Sequence, residues 1–95
     1  MFSEELQTIT YPNYFTPNGD GYNDFWNIRL PNEYEGLISI YDRYGKLLKQ
    51  LSAQGQGWDG TFNGNLLPST DYWFKVEYIE NNQRKEFKSH FSLKR

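Results

Sequence analysis

Ninety-five residues leave room for one domain with a real but thin core, and 3 Trp, 8 Tyr and 7 Phe supply the bulk that scarce aliphatics do not. With no Cys there is no disulfide framework, no Cys-ligated zinc and no thiol nucleophile, and no run approaches the ~20 apolar residues that span a membrane. A net charge of −2 and a pI near 5.3 speak against a nucleic-acid binder, but residues 1–42 hold seven acids against Arg29 alone, whereas residues 43–95 hold nine bases against five acids.

The chain opens on Met1-Phe2-Ser3-Glu4-Glu5, without the basic and apolar regions of a signal peptide, so residues 1–8 read as the edge of a longer parent protein. Gln7 to Tyr11 is a weak first strand, stopped by Pro12, which has no N–H for a ladder. Asn18-Gly19-Asp20-Gly21-Tyr22-Asn23-Asp24 resembles part of a calcium loop, with oxygens of Asn18, Asp20 and Asp24 as candidate ligands. In EF-hand register, however, Thr16 falls at the first ligand and Asn27 at the last, where acids belong. The favoured reading is a turn tied by Asn and Asp side chains to local backbone, with no metal.

Phe25 to Leu30 reads as a strand with Trp26, Ile28 and Leu30 on one face. Leu37 to Tyr41 and Lys46 to Leu51 form a hairpin about Asp42-Arg43-Tyr44-Gly45, where Gly45 suits a turn position of positive φ. Gly55 to Gly60 matches G-x-G-x-x-G, but without the strand-to-helix context that a dinucleotide needs. Asn63-Gly64 marks a further hairpin between Thr61-Phe62 and Asn65-Leu66-Leu67, ended by Pro68. The clearest signal comes last. Tyr72, Phe74, Val76 and Tyr78 alternate with Trp73, Lys75, Glu77 and Ile79, and Phe87, Ser89, Phe91 and Leu93 alternate with polar residues from Glu86 to Lys94, about a turn at Glu80-Asn81-Asn82-Gln83.

Six or seven short strands with regular turn signals predict an all-β sandwich of two antiparallel sheets, a single domain over residues 1–95. No catalytic residue emerges: His90 is the lone histidine, on the polar face of the last strand, with no Cys partner and no Ser in a strained elbow. Trp26, Trp58 and Trp73 are weighed as a sugar-stacking platform, and core packing is the favoured use of each. Arg43 is read as a structural clamp on Asp59 or Asp42. The last strand is followed at once by Lys94-Arg95, so it is expected either as a protected sheet edge or as an edge presented to a partner, with a basic outer face of Lys88, His90, Lys94 and Arg95.

Phe15-Thr16-Pro17-Asn18-Gly19-Asp20-Gly21-Tyr22-Asn23-Asp24, then Ile38 to Gly45 with Arg43 and Gly45, then Gly57-Trp58-Asp59-Gly60, then Leu67-Pro68 and Asp71-Tyr72-Trp73-Phe74 occur in that order. The series resembles the gliding-motility-associated C-terminal domain, the type B sorting domain of the type IX secretion system, over about residues 9 to 95. The resemblance implies an immunoglobulin-like sandwich at the C-terminus of large surface or secreted proteins of Bacteroidota. Such a domain is an address: the parent crosses the inner membrane on an N-terminal signal peptide, and the outer-membrane translocon recognises the domain, with partners of the PorP/SprF kind. Residues 15–24, Arg43, Gly45, Trp58, Asp59, Gly60 and Tyr72 are then motif positions of mainly structural use. Ser89, where relatives often carry Gly, and Thr70-Asp71, where a Gly-containing turn is common, depart from the pattern. A monomer needing no cofactor is expected. The alternative is a fibronectin type III-like adhesive or glycan-binding module, which should expose two or more coplanar aromatics.

Overall fold

Apolar and polar side chains that alternate strictly can form a strand with one face in a core, and the longest strands of the protein form where that alternation runs longest. The computed structural model describes residues 9–19, 21, 24–30, 36–80 and 82–95. Among these run seven strands: β1 (Tyr14–Phe15), β2 (Gly36–Tyr41), β3 (Leu47–Ser52), β4 (Thr61–Phe62), β5 (Asn65–Leu66), β6 (Thr70–Glu80) and β7 (Gln83–Leu93). No described residue is helical. The expected edge of a longer parent, residues 1–8, lies outside the described residues.

β6 and β7 are the arms of one hairpin, paired from Thr70↔Leu93 to Glu80↔Gln83 without a register shift. Tyr72, Phe74 and Val76 on one arm and Phe91 and Leu93 on the other are buried, while Trp73, Lys88 and His90 face solvent. Asn82 takes φ +64° in the connection, a left-handed conformation that Asn tolerates better than most residues. β2 lies along the other side of β6 and carries Ile38 and Ile40 into the core. It returns through β3, the turn being held by the Asp42 carboxylate, which accepts the N–H groups of Tyr44 and Lys46 at 2.9 Å each. The sheet order is β1-β7-β6-β2-β3.

Antiparallel pairing throughout was the expectation, and β1 departs from it. It runs parallel to β7, with Tyr14 opposite Ser92 and Phe15 opposite Leu93. The chain changes layer here: Thr10 pairs with Arg29 in the facing layer, whereas Asn13 O accepts the Ser92 N–H at 2.9 Å in the main sheet. It enters the main sheet already travelling in the direction of β7. Pro12, with no N–H to leave unpaired, stands at the crossing, and its carbonyl accepts the Trp26 Nε1–H at 2.9 Å.

The facing layer is held by side chains more than by ladders. Gln7–Tyr11 and Phe25–Leu30, both expected as strands, make only the isolated bridges Thr10↔Arg29 and Trp26↔Trp58 among the described residues, Gln7 and Thr8 lying outside them. Trp26, Ile28 and Leu30 are buried as their alternation requires. The backbone partner, however, changes from Trp58 at Trp26 to Thr10 at Arg29, so neither ladder propagates among the described residues. β4 and β5 pair about Asn63 and Gly64, at φ +54° and +81°.

The order β3-β2-β6-β7 is that of strands C′, C, F and G in the immunoglobulin fold, and β6 opens with that fold's tyrosine corner: the Tyr72 hydroxyl donates to Pro68 O at 2.8 Å. The protein is an immunoglobulin-like β-sandwich. Phe91 is the hub of its core, stacked on Trp26 with centroids 4.0 Å apart and planes at 11°. Phe15, Trp58, Tyr72 and Phe74 surround it at 5.9–6.3 Å between centroids.

Candidate recognition site

Phe15, Pro17, Trp58, Gly60 and Tyr72, motif positions named from the sequence, gather at one end of the sandwich, where β1, the start of β6 and the end of β7 meet. Phe15 is buried between Trp58 and Phe91, at 5.8 and 5.9 Å, and Trp58 meets the edge of Tyr72 at 5.4 Å. Trp58 Nε1–H donates to Thr61 O at 2.9 Å, so the buried indole keeps its one polar atom satisfied. Two glycines let the chain pass this ring. Gly57 has φ +111°, and a Cβ there would stand 2.7 Å from Trp26 O; Gly60 has φ +84°, and a Cβ would press on Leu93, Arg95 and Pro17 at 3.0–3.2 Å. Asp59 closes the turn between them by accepting the N–H and hydroxyl of Thr61 at 3.1 and 2.7 Å. Thr16 O accepts the Asn18 N–H at 2.8 Å, and Gly45 has φ +85° in the turn after β2.

The clamp expected of Arg43 is made by another arginine. The Arg43 guanidinium lies over the Tyr44 ring, 5.2 Å from its centroid, while Asp42 and Asp59 are engaged with the N–H groups of their own turns. Arg43 projects from an exposed turn and makes no ion pair among the described residues. Arg95, expected on the recognition face, instead turns onto the domain. Its Nε–H donates to Leu67 O at 2.7 Å, Nη2 to Gly60 O at 2.9 Å and Nη1 to Pro17 O at 3.3 Å, and its backbone N–H donates to Ser69 Oγ at 2.9 Å. One planar fork thus ties three loops. Beside it, burial pushes the Tyr72 hydroxyl above its ordinary pKa; the nearby Arg95 charge opposes that shift and Asp42 adds to it.

The Asn18–Asp24 loop is closed from within. Asp24 Oδ1 accepts the N–H groups of Asn18 and Gly19 at 3.1 and 2.9 Å, and Oδ2 accepts that of Gly21 at 2.8 Å. These are the side-chain-to-backbone bonds of a tied turn. Asp20 and Asn23 lie outside the described residues, among which no three His, Cys, Asp or Glu gather as a metal group.

The outer face of the main sheet presents side chains in rows that run across the strands. Leu47, Tyr41, Trp73 and His90 stand in one row, and Gln50, Ser39, Lys75 and Lys88 in the next. Lys75 faces Lys88 directly and Glu77 faces Glu86, an arrangement of like charges that costs stability unless diagonal partners intervene. They do: Glu86 reaches Lys75 at 3.9 Å and Lys88 at 3.8 Å, and Glu77 reaches Arg84 at 3.6 Å. Lys94 Nζ sits 4.9 Å over the Tyr14 ring, and His90 lies 6.3 Å from Trp73. Lys88, His90 and Lys94 are all exposed. Of the three tryptophans, Trp26 and Trp58 are core, and Trp73 is 40% exposed on this face.

A family model, the CHU_C type IX secretion signal domain, matches residues 9–93. The chain belongs to that family. No curated protein matches, and no solved structure does. The resemblance drawn from the F-T-P-N-G-D-G, R-x-G and W-D-G strings is therefore to the family that the chain is in, and a type IX secretion signal domain is not a catalytic family. Within the secretion signal domain, Ser89 and Asp71, expected to depart from the family pattern, both have partners. Ser89 Oγ meets the Tyr11 hydroxyl at 2.7 Å, and Asp71 Oδ1 accepts the Ser92 hydroxyl at 2.6 Å. Sequence reasoning weighed Asn27 only against a calcium loop, whereas its amide donates to Ser52 O and Gly55 O at 3.1 and 3.0 Å and so stitches the loop after β3 to the facing layer. Its one local signal is an Asn inside a strand-like apolar run, a residue type that favours side-chain bonds to backbone.

Proposed function

We propose that this domain is the address by which a larger cargo protein is handed to the type IX outer-membrane translocon and delivered to the cell surface or the medium. A PorP/SprF-like outer-membrane protein is its direct partner, and the host belongs to the Bacteroidota. The family match over residues 9–93 carries this reading. Its surface side follows by elimination. Phe15, Trp58, Tyr72, Gly60 and Arg95 are taken up by the domain's own packing and hydrogen bonds, which leaves recognition to side chains free to meet a partner, foremost Lys88, His90 and Lys94 on the exposed face of β7.

The test fuses the domain to a periplasmically exported fluorescent protein in a host with the secretion system and measures fluorescence on the cells and in the medium. Lys88→Glu with Lys94→Glu reverses the face. Lys88 sits in an exposed ion pair, worth ~0.2–1 kcal/mol, and Lys94 over an exposed ring, worth ~0.5–1 kcal/mol, so the variant should melt only slightly below the parent. Blocked export from a folded variant is the expected result. Full export would remove this face from the recognition site, and failure of the unaltered domain to direct any export would overturn the function itself.

A further inference from the structure

Among the described residues, the edge of β7 before Ser92 is covered by no further strand. Ser92 and Lys94 point their N–H groups at Asn13 O and Phe15 O, each at 2.9 Å, and β1 ends there. Successive N–H groups of a strand alternate sides, and β7 has no register shift, so the N–H groups of Arg84, Glu86, Lys88 and His90 point the same way. Among the described residues nothing accepts from them. Such an edge is a template for an added strand, and proteins that leave one open either protect it or use it.

Its charges say what fits. Lys85 is answered by Glu80 at 3.9 Å and Arg84 by Glu77, but Glu86 is one acid shared by Lys75 and Lys88, and Lys94 follows with a ring for a partner. The stretch from Lys88 to Lys94 is therefore net positive. A second copy laid with Lys88 against Lys88 would set like charges directly opposite each other, which disfavours self-pairing in that register. A strand laid beside β7 would also extend the rows already present, adding one side chain beyond Lys88 and another beyond His90. The first position suits a carboxylate. The second, at the end of Leu47, Tyr41, Trp73 and His90, suits an aromatic or apolar group.

We infer that the edge of β7 from Glu86 to His90 binds an extended acidic segment of a partner protein by strand addition, reading an acid against Lys88 and an aromatic or apolar side chain against His90. This deepens the export reading by naming its mode, yet it is tested without export.

The probe is the peptide Ser-Thr-Glu-Thr-Tyr-Thr-Glu-Ser, with its Glu-to-Lys counterpart as control, added to the 95-residue chain while amide hydrogen exchange is followed by NMR. With the acidic peptide at about ten times its dissociation constant, the Glu86, Lys88 and His90 amides should exchange about tenfold more slowly. Phe87 and Ser89, whose amides face β6, should change little. Lys88→Pro removes one edge donor and leaves the β6 ladder intact, so it should abolish the effect where Lys88→Ala only weakens it. Should the proline variant unfold, the exchange pattern of the parent decides alone. No slowing at about millimolar peptide, the weak end of useful affinity, overturns the inference, as does equal slowing by the basic control. Slowing that grows with protein concentration alone makes a second copy the occupant and overturns it too. If strand addition fails while Lys88→Glu with Lys94→Glu still blocks secretion, the export reading stands and only its mode is lost.

Discussion

Arg95 and Tyr72 show how single side chains hold the motif end together. Arg95 reaches the carbonyls of Leu67, Gly60 and Pro17 with one guanidinium, a geometry that an ammonium on a flexible stem does not reproduce. Charge-assisted hydrogen bonds are worth ~1.5–3 kcal/mol when sheltered and less where water competes, as at this exposed residue. Arg95→Ala should thus lower the thermal midpoint by about 4–8 °C, on the scale of ~1 kcal/mol in a domain this size, and Arg95→Lys should recover little of it. Recovery by lysine would mean that charge alone matters. Tyr72 adds a pH dependence. Its folded pKa is raised, chiefly by burial, so the folded state holds the phenolic proton more tightly than the unfolded one. The sign follows: this contribution is fully present below the ordinary tyrosine value near 10 and is lost as pH climbs from there through the raised folded value. Tyr72→Phe should cost ~0.5–1.5 kcal/mol at neutral pH through the lost bond to Pro68 O, and should flatten the alkaline fall in stability seen in thermal melts across that window.

At the scale of elements, the strands differ in what specifies them. β6 and β7 were legible in the sequence because every second residue from Tyr72 to Tyr78 and from Phe87 to Leu93 is needed on one face. β1 was not, since two residues between Pro12 and Pro17 carry no period, and its parallel pairing depends on where β7 ends in space. Phe25–Leu30 showed its buried face but not that it makes only isolated bridges among the described residues, because side-chain alternation says nothing about which backbone lies alongside. Phe91, where both layers meet, gives the sharpest consequence. It stacks on Trp26 and is ringed by four more aromatics, so Phe91→Ala leaves a cavity walled by rigid rings that relax poorly. A loss of ~3–5 kcal/mol is expected, a fall of about 15 °C or more by circular dichroism. Trp58→Ala should fall as far. A drop of only a few degrees in either would move that ring from core to surface.

For the molecule as a whole, the aromatic cluster decides cooperativity. β1 contributes Phe15, the facing layer Trp26 and Trp58, β6 Tyr72 and Phe74, and β7 Phe91, so no layer keeps a core of its own when another leaves. Unfolding should therefore be a single transition, coincident by far-ultraviolet circular dichroism and tryptophan fluorescence. The candidate site was legible only in part for the same reason. The motif strings announce residues that must be present, but the partners of Arg95 lie at Pro17, Gly60 and Leu67, and no spacing along the chain brings those together. The Asn18–Asp24 loop carries the last prediction. A carboxylate that already accepts three backbone N–H groups would have to exchange them for a cation, and those N–H groups would then point at a positive charge. The loop's shape is thus kept by its own hydrogen bonds. EDTA and excess Ca²⁺ should both leave the midpoint unchanged within error, whereas Asp24→Ala, which removes an acceptor shared by three backbone N–H groups, should lower it. A midpoint that falls with EDTA and returns with Ca²⁺ would show that the cation outcompetes those donors, and would make the loop a metal site.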